Sequence, residues 1–229
     1  ILAGRIQSGG KTRRAAKMVI SDSDHPDLLR FTYWKVNEER KALWLCANPE
    51  WAPKGPGDLE SEAYKTVDGQ NGNNSVRVTD IFMRAAAGHE EWNLNFRTAN
   101  RQKEEIEIPL EKYKDDRYLP DKRFVKHLTN KKKVIEAAVA LETIARAAYV
   151  TGDPGLQFDT IVNEWHTCPN SGRINASNPC SEYMFIDNSA CNLASFNLMN
   201  FLRVDGSFDI PKFQGAIRTT LTAQEILVD

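Results

Sequence analysis

The sequence has no run approaching the ~18 uncharged apolar residues of a membrane span. No charged segment followed by an apolar stretch opens it, so no secretory signal is expected. Cysteine is scarce: Cys46, Cys168, Cys180 and Cys191 are the four in 229 residues. That is too few for the disulfide framework of a small secreted domain. No C-x-x-C pair occurs, and His166, Cys168, Cys180 and Cys191 fit no standard zinc spacing, so no metal site is expected. Excess charge of either sign is also missing. Thirty basic residues face 31 acidic ones, for a net charge of −1. This argues against a nucleic-acid binder that relies on bulk positive charge. Internal repeats and low-complexity segments are absent. The expectation is a cytoplasmic protein with neither a membrane nor a nucleic-acid partner.

What is present is ordinary globular composition, 41% hydrophobic and 27% charged, enough apolar content to exclude a disordered chain. The sequence begins with Ile1 and stops at Asp229 directly after Ile226-Leu227-Val228. Both ends read as interior positions of a longer chain.

Periodicity gives an α/β class. A short strand is predicted over 15–20. A helix follows from Asp27 to about Lys41, starting at Asp24-His25-Pro26-Asp27 and placing Leu28, Phe31 and Trp34-Lys35 near one face. Residues 46–62 hold three prolines and two glycines, which marks a loop. Asn71-Gly72-Asn73-Asn74 predicts a turn before an alternating strand over 75–79. Asp80 is the predicted cap of a helix carrying Ile81, Phe82 and Met83. Residues 97–133 are dense in charge and read as a solvated face. The clearest helical pattern spans 132–150, with Val134, Ala138, Leu141, Ala145 and Ala148 on one stripe. Thr129 or Asn130 would cap it, and Gly152 with Pro154 would stop it. A last helix begins near Pro211 with Phe213, Ile217 and Leu221 on one face. Turn chemistry marks Asp153-Pro154-Gly155 and 168–172.

Two segments carry chemistry. Ser8-Gly9-Gly10-Lys11-Thr12 invites a phosphate-loop reading but misses the pattern. The position five before Gly10 is Arg5, Gly4 is one off, and no strand precedes it. Gly9 and Gly10 still allow close backbone approach, and Lys11, Arg13, Arg14 and Lys17 cluster positive charge suited to phosphate or a base edge. A solvated basic loop is the alternative. In Asn178-Pro179-Cys180-Ser181-Glu182, residues 178, 180 and 182 alternate. In an extended chain they face one way across roughly 13 Å, as a row of amide, thiol and carboxylate. Pro179 places the row at an edge or loop tip. A buried thiol in a turn is the alternative.

The string 175–182 (NASNPCSE) resembles the catalytic loop of ribonucleotide reductases, most closely the adenosylcobalamin-dependent, class II, enzymes. Further blocks agree in family order: 8–18 (SGGKTRRAAKM), 25–27 (HPD), 73–78 (NNSVRV), 152–159 (GDPGLQFD), 165–174 (WHTCPNSGRI) and 191–198 (CNLASFNL). Residues 40–62 and 97–130 match poorly and read as variable insertions.

The resemblance implies an internal fragment of the catalytic chain. Residues 1–229 would form part of the ten-stranded α/β barrel of the catalytic domain, incomplete at both ends. It implies adenosylcobalamin as cofactor and a thiyl radical on Cys180 that takes the ribose 3′ hydrogen. Glu182 would take the 3′-hydroxyl proton, Asn178 would hold the ribose hydroxyls, and Cys191 would be one of two reducing cysteines. The other lies upstream of this sequence. Cys46 does not match it, and Cys168 has no assigned role. Gly9, Gly10, Lys11, Arg13 and Arg14 match the loop between a deoxynucleoside triphosphate effector and the substrate base, an allosteric coupling. The implied partners are a ribonucleotide, that effector and a thioredoxin-type reductant, and a homodimer is compatible with them. The alternatives are a non-catalytic nucleotide-binding fragment and a class I catalytic chain, whose radical comes from a partner subunit.

Overall fold

A three-stranded parallel sheet, in the order β1-β2-β5, organises the larger part of the computed structural model. Its strands are β1 (Lys17–Asp22), β2 (Gly72–Val78) and β5 (Gly155–Phe158). The structure describes residues 16–55, 58, 60–69, 71–95 and 134–228. The effector-loop candidates Gly9, Gly10, Lys11, Arg13 and Arg14, the cap candidates Thr129 and Asn130, and the insertion 97–130 lie outside them. Two compact units divide at Asp187: Ile1–Asp187 and Asn188–Asp229.

In the first unit the remaining elements are α1 (Leu28–Leu45), α2 (Glu62–Lys65), α3 (Asp80–Ala87), β3 (Glu91–Asn93), β4 (Val134–Glu136), α4 (Ala137–Thr151), α5 (Asp159–Glu164), β6 (Ala176–Ser177) and β7 (Met184–Phe185). Helices supply the crossovers that parallel pairing requires. The register runs Lys17↔Gly72 to Asp22↔Arg77 and Ser75↔Gly155 to Val78↔Phe158. β2 is therefore the central strand, and its two faces differ. Val76 and Val78 are wholly buried in the main core, with Leu28, Leu29 and Val36 of α1, Phe82 of α3 and Ile144 of α4. Asn73, Ser75 and Arg77 alternate to the opposite, polar face. Among the described residues the sheet is open and closes no barrel.

Several boundaries move from their predicted places, each for a local reason. β1 begins two residues later than predicted. Asn73 and Asn74 are part of β2 rather than a turn, because the chain reverses earlier, where Gly69 adopts φ +76° and its carbonyl accepts from Gly72 N (2.9 Å). Thr79, not Asp80, caps α3: its hydroxyl accepts from Phe82 N at 3.2 Å, with Asp80 in the first turn. Val134–Glu136 pairs antiparallel with Glu91–Asn93, so the helix predicted from 132 starts at Ala137. Its buried face is Val139, Ala140, Thr143, Ile144 and Ala147, one step round from the predicted stripe, and Ala145 is exposed. Its end is as predicted: Gly152 takes φ +81° and its N–H bonds Ala148 O at 2.8 Å. α1 runs four residues past its predicted end and buries Leu29, Thr32, Val36 and Arg40 in addition to Leu28, while Trp34 stays partly exposed. Cys46 lies buried in a satellite cluster with Ala42, Ala52, Ala63 and Tyr64.

The second unit consists of a 3-10 turn (Leu198–Phe201) and α6 (Ile210–Val228). Phe201 packs Phe213 at 5.1 Å, Phe208 at 6.0 Å and Phe196 at 6.3 Å between ring centroids, within the range for favourable aromatic pairs. Asp209 caps α6 by accepting from Lys212 N at 3.0 Å. That bond and Arg203 hold its carboxyl below the usual range. Phe213 and Ile217 are half-buried on the predicted face, whereas Leu221 is exposed.

Phe82 is fully buried and meets the Trp92 ring edge-on at 5.1 Å. Phe82→Ala should therefore cost about 3–5 kcal/mol of stability, read as a lowered denaturant midpoint. A change below about 1 kcal/mol would contradict this core assignment.

Candidate active site

The polar face of the sheet carries Met18, Ile20 and Asp22 of β1, Arg77 of β2 and the residues after β5. Together with Trp92, Asp24, Asp159, Arg173, Asn175 and Ala176 they line a cavity of about 640 Å³. It opens beside the carboxyl ends of the parallel strands, and Asn178, Cys180 and Glu182 are not among its lining residues.

Arg77 is the organising side chain. It is 4% exposed, a state a guanidinium tolerates only when paired. Its Nε donates to Asp159 Oδ1, its Nη2 donates to the carbonyl of Ile174, and its Nη1 donates to Gln157 Oε1 at 3.3 Å. Asp159 also accepts from Arg173 Nη2. Asn163 of α5 completes the clamp. Its Oδ1 accepts from Ile174 N at 3.0 Å, and its Nδ2 donates to Ile174 O at 3.2 Å. Residues 173–175 are thus bolted to the carboxyl end of β2.

From there the chain runs back along the sheet into a two-stranded hairpin, Ala176–Ser177 against Met184–Phe185. Its tip is a turn closed by Ser181 N donating to Asn178 O at 3.0 Å, with Ser181 at φ +63°. Cys180 sits in that turn and is exposed, as is Glu182. Pro179 O accepts from Asn73 Nδ2 at 2.6 Å, which ties the tip to the start of β2. Asn178 Oδ1 accepts from Tyr183 N at 2.9 Å. The extended row expected for Asn178, Cys180 and Glu182 is therefore replaced by a turn, since Pro179 and the Asn178 carbonyl favour closure over extension. The three residues stay within one hairpin tip. The loop-tip position expected from Pro179 is observed.

Cys191 belongs to the second unit and is exposed. Its segment is held to α6 by a reciprocal amide pair: Asn192 Nδ2 donates to Gln224 O (3.4 Å) and Gln224 Nε2 to Asn192 O (3.2 Å). Cys168 is exposed, and its N–H donates to His166 Nδ1 at 3.3 Å. Among the described residues no group of three or more His, Cys, Asp or Glu side chains is assembled for a metal ion. No helix among them is long and apolar enough to cross a membrane.

Sequence reasoning missed Arg77, Gln157, Asp159, Asn163 and Ser177. A signal existed in the strand itself. Asn73-x-Ser75-x-Arg77 alternates polar residues against Val76 and Val78, and an arginine at a strand's inner position demands a buried partner.

Comparison with known proteins agrees with this geometry. The family model for the ribonucleotide reductase barrel domain matches residues 2–229. The chain is thus a member of the ribonucleotide reductase barrel-domain family. Among its relatives, a vitamin B12-dependent ribonucleotide reductase of Rhodopirellula baltica is 46% identical over 228 residues, which is 100% of this chain and 19% of the relative. One from Streptomyces coelicolor is 42% identical over 99% of this chain and 20% of the relative. A vitamin B12-dependent ribonucleoside-diphosphate reductase of Mycobacterium tuberculosis is 30% identical over 90% of this chain and 22% of the relative. The chain spans about a fifth of the length of these relatives.

Arg77→Ala would leave the Asp159 carboxylate with Arg173 alone and the Ile174 carbonyl with Asn163 alone. The expected loss is about 3 kcal/mol, the low end for breaking a buried pair because Arg173 remains. Thermal denaturation beside Arg173→Ala checks this. Arg173 is more than half exposed and should cost well under half as much, so equal losses would contradict the role given to Arg77.

Proposed function

We propose that the complete protein containing this chain is a ribonucleotide reductase that removes the ribose 2′-hydroxyl by radical chemistry at Cys180. The observation that carries this reading is the exposed Cys180 thiol, set in a turn pinned to the central strand of a reductase barrel domain. In the complete domain the three parallel strands would be part of a closed ten-stranded α/β barrel. Residues 40–62 and 97–130 would be insertions in it.

Cys180 gives up its hydrogen atom and, as a thiyl radical, takes the hydrogen of the ribose 3′ carbon. Adenosylcobalamin, when bound, supplies the radical that starts this transfer. An exposed thiol at a hairpin tip fits the approach of so large a group, and Cys180 is the residue that would face it. Glu182 accepts the 3′-hydroxyl proton, which needs hydrogen-bond reach in the substrate complex. Because Asn178 Oδ1 is engaged by Tyr183, the Nδ2 end of that amide is the donor to a ribose hydroxyl. The 2′-hydroxyl takes a proton from the reducing cysteine pair and departs as water, and Cys180 finally returns a hydrogen atom to the 3′ carbon. Cys191 and a second cysteine outside this sequence provide two electrons and end as a disulfide, which a thioredoxin-type protein reduces. Gly9, Gly10, Lys11, Arg13 and Arg14 contact an effector deoxynucleoside triphosphate and couple it to base choice.

Turnover of the complete protein tests the reading. Ribonucleotide reduction should require adenosylcobalamin and should vanish in Cys180→Ala, with nucleotide binding by equilibrium dialysis retained. Reduction by Cys180→Ala would overturn the role of that residue. Reduction without adenosylcobalamin, but only with a partner subunit, would assign the class I mechanism instead.

A further inference from the structure

Gln157 is 2% exposed and lies between two groups with opposite demands. Arg77 Nη1 can only donate, so the oxygen of the Gln157 amide must face it, at 3.3 Å. This orients the amide nitrogen toward Ser177, where Nε2 donates to Oγ at 2.7 Å. The Ser177 hydroxyl, now accepting, sends its own proton onward to the carbonyl of Asn178 at 2.9 Å. The other lone pair of that carbonyl takes the Ser181 N–H that closes the turn around Cys180, at 3.0 Å. One directed chain of donors therefore runs from the ion pair Asp159–Arg77 through Gln157 and Ser177 to the turn carrying the thiol. The polarity is fixed at its origin by Arg77, which cannot accept, and the Ser177 hydroxyl, 2.9 Å from the Asn178 carbonyl, also lies 3.4 Å from Ser181 Oγ in the same turn.

We propose that Gln157 and Ser177 are positioning residues for Cys180. Their donor relay saturates the Asn178 carbonyl and holds the turn in the one geometry that presents the thiol. This rests on the reading of Cys180 given above. Hydrogen bonds in such chains reinforce one another, and the relay costs no motion when substrate binds. Glu at position 157 would break it in a specific way. A carboxylate accepts from Arg77 at least as well, but it also takes the Ser177 proton, which is then lost to Asn178 O. Packing and the Arg77 contact survive, while the link between residue 157 and Ser177 reverses and the link to the Asn178 carbonyl is lost.

The test uses the complete protein. Gln157→Glu and Ser177→Ala should each lower kcat by about tenfold, the scale of one or two neutral hydrogen bonds, with KM and effector binding within about twofold. Ser177→Thr, which keeps the hydroxyl, should restore kcat to within about threefold. In the double variant the second change should cost less than about twofold, because both act through one chain. Amide exchange across 176–183 should quicken in Ser177→Ala and not in Ser177→Thr. Kinetic losses that multiply independently, a change in KM in place of kcat, or unchanged exchange in Ser177→Ala would overturn the proposal. Absence of ribonucleotide reduction by the unaltered protein would instead overturn the functional reading, and the exchange measurement would still decide the relay.

Discussion

The burial of Arg77 governs the rest of the first unit. A guanidinium inside a sheet core must be fully matched, and the matches determine what surrounds it. Asp159 has to lie at the end of β5, Gln157 one residue pair before it on the same face, and the Ile174 carbonyl has to arrive from the following segment. Satisfying one charge thereby brings three distant stretches to a single point. The loop that bears Cys180 inherits its position from that requirement.

The division of β2 into two faces explains how a mostly apolar architecture keeps a polar interior. Val76 and Val78 join the helices α1, α3 and α4 in the core, and Asn73 and Arg77 reach the opposite way to the 173–179 segment. Gly155 contributes at close range. A Cβ there would stand 3.2 Å from Ser75 Oγ, so a small residue lets β5 sit beside β2 without disturbing the polar face. The second unit reaches order by different means, a cluster of four phenylalanines and a capped helix.

Much of this was legible in the sequence, because punctuation is local. Gly152, the start of α6 near Pro211, the α/β class and the loop-tip position of Cys180 all follow from a few adjacent residues. What was illegible depends on distant partners. Val134–Glu136 reads as helix until Glu91–Asn93 pairs with it. Asn73 and Asn74 read as a turn until β1 pairs beside them through Met18 and Val19. The stripe on α4 was misassigned because alanines mark both of its sides, and only contact with α1 and α3 selects one. The proposed site motif stands out by its family pattern, whereas Arg77, Gln157 and Asn163, which hold the segment before and beneath it, have no spacing signature relative to Cys180. Tertiary hydrogen bonding alone unites them.

In the proposed mechanism Cys180, held in its pinned turn, carries the unpaired electron during catalysis. Freeze-quench electron paramagnetic resonance of the complete protein with adenosylcobalamin and a ribonucleotide addresses it directly. The expected result is a radical signal that narrows when the cysteines carry deuterium at Cβ, and that is missing from Cys180→Ala. A signal whose width ignores the deuterium, or one that persists in Cys180→Ala, would contradict it.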